Sequence, residues 1–85
     1  MRVNRKLMSA VLTIVDNQII DNHPPETSQT YERLLELGID KADAKLMIGQ
    51  AVSVELFHIM KNKQPFNYER FIKNLKKLPE GEMED

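Results

Sequence analysis

Few side chains in this sequence have the type and spacing that chemistry requires. The most specific arrangement is Glu55-x-x-His58. A carboxylate and an imidazole three residues apart share one face of a helix. Di-metal carboxylate bundles use two such pairs together with two further glutamates. Here the motif occurs once, and Asp16 lies in another apolar stretch from which it would face Glu55 if the two helices packed together. Asp16, Glu55 and His58 are therefore the candidates for metal ligation, short of a full ligand set. The plainer expectation for Glu55 and His58 is a partly exposed polar seam on a central helix. His23 precedes Pro24-Pro25 and reads as a loop residue. No serine or threonine sits in a nucleophile motif, and the three glycines are scattered singly, which leaves no phosphate cradle. The absence of cysteine excludes disulfides and thiolate zinc sites. Neither a catalytic residue nor a cofactor is expected, and the chain does not read as an enzyme.

The elements that must position these residues are marked by helix periodicity and punctuation. A chain of 85 residues is one domain, here residues 1–79 followed by an acidic, disordered tail over 80–85. The first helix is expected from Asn4, its N-cap, to Ile20, with Leu7, Val11, Ile14 and then Leu12, Val15, Ile19 at steps of three and four. Asp16-Asn17-Gln18 interrupts that apolar run, so at least one of the three should turn inward and hydrogen-bond near Thr27–Thr30. Pro24-Pro25 ends this helix and opens a second from about Pro25 to Leu37. Tyr31, Leu34, Leu35 and Leu37 supply its buried side, and Gly38 provides the left-handed exit. Asp40 caps a third helix that runs to about Lys61. Leu46, Met47, Ile48, Val52, Val54, Leu56, Phe57, Ile59 and Met60 surround its axis, so it should be buried on all sides. A fourth helix starts at the N-cap Asn67, with Phe66 and Phe71 at the positions of a hydrophobic staple. Tyr68, Phe71, Ile72, Leu75 and Leu78 form its stripe, and Pro79 stops it. The fold class is all-α, a small bundle of about four helices around an apolar third helix.

Charge gives little direction. The net value is -1, but residues 61–77 carry Lys61, Lys63, Arg70, Lys73, Lys76 and Lys77 against Glu69 alone. A weak phosphate contact through the fourth helix is conceivable on that basis, yet nucleic-acid readers are usually strongly basic, so nucleic acid is not the expected partner. Leu7 to Val15 follows basic residues as a signal peptide would, but Ser9 and Thr13 interrupt it and no cleavage site follows. It is also too short to span a bilayer. A cytoplasmic protein without membrane association is expected.

Several fragments resemble a bacterial family of small helical domains of unknown function. They are Ile14-Val15-Asp16-Asn17-Gln18, Pro24-Pro25-Glu26-Thr27, Arg33-Leu34-Leu35 with Gly38, and Lys41 through Gly49, with fainter likeness at Pro65-Phe66 and Tyr68. Family members read V-E-N-Q, P-P-E-V, R-L-x-x-x-G and R-H-E-A-x-H-x-I-G. The resemblance spans about residues 11–78 and implies the helical fold and a bacterial origin. The family's histidines would fall at Ala42 and Leu46 and near Leu12, all apolar here. Any metal site those histidines form is therefore expected to be lost, with Asp16 and Asp43 as the remaining carboxylates.

The reading that best fits these observations is a protein-interaction module that self-associates, as a homodimer, through the third or first helix. Its motive is a greasy helix in a chain too small to wrap it. The alternative is a residual metal-binding bundle.

Overall fold

The computed structural model describes residues 5–83, and within them the chain forms four helices: α1 (Arg5–Asp21), α2 (Pro25–Glu36), α3 (Lys41–Asn62) and α4 (Tyr68–Lys77). No strand occurs among the described residues. Asn4, expected as the first cap, lies outside them. The other boundaries follow the punctuation. Pro24 is extended and Pro25 occupies the first helical position of α2. Gly38, at φ +89°, makes the left-handed turn out of α2, and the amide of Ile39 closes that turn on Leu34 O at 3.2 Å. Asp40 Oδ1 accepts from the Asp43 amide at 2.8 Å, and Asn67 Oδ1 accepts from the Arg70 amide at 3.0 Å. Each satisfies a donor that the first helical turn leaves without an internal partner. Lys63 closes α3 in the left-handed region at φ 55°.

Helix α3 touches the other three, and α2 does the same, whereas α1 and α4 make no contact with each other among the described residues. The bundle is thus a central α2–α3 pair flanked by α1 on one side and α4 on the other. Helix α1 runs antiparallel to α3: Asp16 meets Lys45, Val11 meets Gly49, and Leu7 lies beside Leu56 and Met60. The core is Val11 and Val15 from α1, Leu34 from α2, Ala44, Ile48, Ala51 and Val52 from α3, and Phe71, Leu75 and Leu78 at the α4 end. Gly49 sets the α1–α3 spacing, since a Cβ there would stand 2.9 Å from Val11 Cγ1.

One polar residue of α1 turns inward as expected, and it is Gln18, whose Oε1 accepts from the buried Thr27 hydroxyl at 3.0 Å. Three packing expectations need correction. Leu37 and Tyr68 are exposed. Leu37 is drawn out of the α2 stripe because the chain is already unwinding into the Gly38 turn. Tyr68 stands at the first position of α4, where its ring packs on Phe66 and His23 rather than on the core. The third concerns α3. Its buried side is narrow, and Leu46, Phe57 and Met60 face outward at 39 %, 39 % and 66 % exposure. Three short neighbours cover only part of a helix's circumference, and among the described residues no fourth element crosses the remaining face.

The described part of the acidic tail is seated rather than extended. The Gly81 amide donates to Lys77 O at 2.6 Å, and the Met83 side chain packs against the core.

Candidate interaction surface

The metal-ligand candidates occupy separate sites. Asp16 forms an ion pair with Lys45 Nζ at 2.8 Å, on the α1–α3 surface. The hydrogen bond to this carboxylate raises the Lys45 ammonium above the ordinary lysine value. Partial burial works against that rise, and the Asp16 and Tyr31 charges add to it. Glu55 lies ten residues further along α3, about 15 Å at the rise of a helix. It is fully buried, which overturns the expectation of a partly exposed seam. The reason is visible in its register: Glu55 follows Ile48 by seven residues and so falls on the core stripe of α3.

A buried carboxylate must be neutralised and hydrogen-bonded. Arg70 supplies a two-pronged contact, Nε to Oε2 at 2.6 Å and Nη2 to Oε1 at 2.9 Å, and the Asn67 amide donates to Oε1 at 2.8 Å. This arrangement rebuilds a capping box across two helices. In a local box the third helical residue is a Glu whose side chain takes up the N-cap amide. In α4 that position is Arg70, and the carboxylate arrives from α3 instead. His58 stands apart from this cluster. Its Nδ1 lies 3.1 Å from the Asn62 side-chain Nδ2. Among the described residues no group of three His, Asp or Glu side chains converges to hold a metal ion.

The far end of α4 is held from α2. Arg33 donates through Nη1 to Leu78 O at 2.6 Å and through Nη2 to Leu75 O at 2.9 Å. Leu75 O also accepts from the Leu78 amide at 3.2 Å, so the guanidinium adds to the backbone closure of the helix end. In the sequence Arg33 entered only as part of a resemblance fragment and Arg70 as one charge of the basic face of the fourth helix; neither read as a clamp. The only available signal was that Arg70 sits at a capping-box position with the wrong sign. The Glu55 pairing also removes Arg70 from the basic face of α4, and Lys73 pairs with Glu69 at 3.4 Å.

One surface feature open to a partner is apolar. A groove of about 270 Å³ runs between the start of α1 and the second half of α3, lined by Leu7, Ser53, Leu56, Phe57, Met60 and Lys61. Lys61 reaches over the Phe57 ring at 5.3 Å and forms the polar rim. The Ser53 hydroxyl is already used, donating to Gly49 O at 2.9 Å, so the groove floor carries no unsatisfied hydroxyl. No helix among the described residues is long and apolar enough to cross a membrane. Comparison with known proteins yields no match to a family model, a curated protein or a solved structure.

Proposed function

We propose that the protein is a non-catalytic interaction module that works as a homodimer, using the outward face of α3 and the adjoining start of α1. The observation that carries this reading is the combination of Leu46, Phe57 and Met60 exposed on one helix with an apolar groove beside them. Small chains that leave such a surface open usually cover it with another subunit. The groove has an apolar floor and a charged rim, the anatomy of a protein interface. A cytoplasmic setting and a bacterial origin belong to the same proposal, the second resting on the family resemblance alone. No observation favours metal binding, since Asp16 and Glu55 are each engaged by a cation and stand apart.

Sedimentation at micromolar concentration tests the reading. The expected mass is that of two chains, and Phe57→Glu or Met60→Glu should return it to one without loss of helix content. A single-chain mass for the unaltered protein across that range contradicts the proposal.

A further inference from the structure

Along the outward side of α3 stand Leu46, Gln50, the half-buried Ser53, Phe57 and Met60, which recur at steps of four, three, four and three. That alternation is the seam along which two helices pair. The seam is apolar at its two ends and polar in the middle. It therefore looks alike when turned end over end. Its charges do not. Asp40 and Asp43 stand at the N-terminal end of α3, against Lys41. At the other end are Lys61 and Lys63, with Arg5 and Lys6 of α1 next to the groove residue Leu7, and the acid in this half of α3, Glu55, is buried and paired. Asp43 and Lys61 are eighteen residues apart, five full turns, so they lie on the same flank of the seam.

We propose that the occupant of the seam is a second copy of this chain with its α3 antiparallel, related by a two-fold axis passing between Gln50 and Ser53. This rests on the self-association reading and adds its geometry. In that arrangement Leu46 of each copy packs on Phe57 of the other, and Gln50 lies beside the small Ser53. A two-fold of this kind brings matching flanks together, so Asp43 of each copy meets Lys61 of the other. The helix dipoles oppose, which is also favourable. A parallel pairing would place acid on acid at one end and base on base at the other, and like charges across a contact are repulsive.

Charge reversal separates the possibilities. Asp43→Lys and Lys61→Glu should each weaken the dimer about tenfold at low salt, because each change turns two rim contacts from attractive to repulsive. The double variant should recover the original dissociation constant, and an equimolar mixture of the two single variants should form heterodimer in preference to either homodimer. Helix content and melting of each variant, measured by circular dichroism, establish that folding is unaffected; if either single variant fails to fold, Asp43→Asn and Lys61→Gln replace the pair, with smaller effects of the same sign. A dimer whose dissociation constant ignores both reversals, or a double variant weaker than both singles, overturns the antiparallel arrangement while leaving self-association intact. A monomeric unaltered chain overturns both.

Discussion

At the scale of single residues, the two ion pairs that join helices among the described residues differ in consequence. Glu55 is wholly enclosed, and Arg70 is the cation that neutralises it. Removing one partner of a buried pair leaves an uncompensated charge in a poorly polarisable medium, so Arg70→Leu should cost about 3–5 kcal/mol in denaturant unfolding. Changing both, Glu55→Met with Arg70→Leu, should cost less than Arg70→Leu alone, because no charge is then stranded. A double variant as unstable as the sum of the singles would refute that coupling. The Asp16–Lys45 pair is half open to water, and Lys45→Met should cost no more than about 1 kcal/mol, less at high salt. Because the folded state raises the Lys45 ammonium, its contribution is complete below the ordinary lysine pKa and disappears as pH rises through the elevated value. On the alkaline side, stability curves of wild type and Lys45→Met should therefore converge only in strongly alkaline solution; convergence near neutrality would contradict the assignment.

At the scale of elements, α4 shows how a helix too short to stand alone is held. Ten residues form a marginal helix in water. Here the N-terminus is clamped by Asn67 and by Glu55 from α3, and the C-terminal carbonyls by Arg33 from α2. The cap and stripe of α4 were legible in the chain, whereas both clamps come from residues distant in sequence. Two glycines give a contrast at the same scale. Gly38 has open space around its missing Cβ but a positive φ, so Gly38→Ala should cost about 1 kcal/mol from backbone strain alone. Gly49 has ordinary helical geometry, where alanine is intrinsically better by about 1 kcal/mol. Its Cβ would strike the buried, β-branched Val11, so Gly49→Ala should be destabilising overall, by about 1–2 kcal/mol, as α1 is pushed off α3. Pairing Gly49→Ala with Val11→Ala should restore part of the loss in thermal unfolding; no restoration would mean the contact is not the cause.

At the scale of the molecule, the four helices leave one face of α3 uncovered among the described residues, and a partner that binds only the folded chain stabilises it by mass action. The melting temperature should accordingly rise with protein concentration over the range in which the dimer forms, and Phe57→Glu should abolish that dependence while retaining the fold. A concentration-independent melting temperature for the unaltered protein, measured across its mass transition, would dissociate the α3 face from stability.

The sequence by itself determined the number of helices, their boundaries to within a residue or two, the caps at Asp40 and Asn67, the Gly38 turn and the inward turn of one polar residue in α1. Each of these is set by interactions among residues a few positions apart, which periodicity and capping chemistry encode directly. The tertiary structure alone decided that Glu55 is a buried clamp, that Arg33 and Arg70 are its counterparts in holding α4, and that the apolar helix is open along Leu46, Phe57 and Met60. Whether an apolar or charged side chain is covered depends on which helices reach it in space, and local pattern carries no record of that.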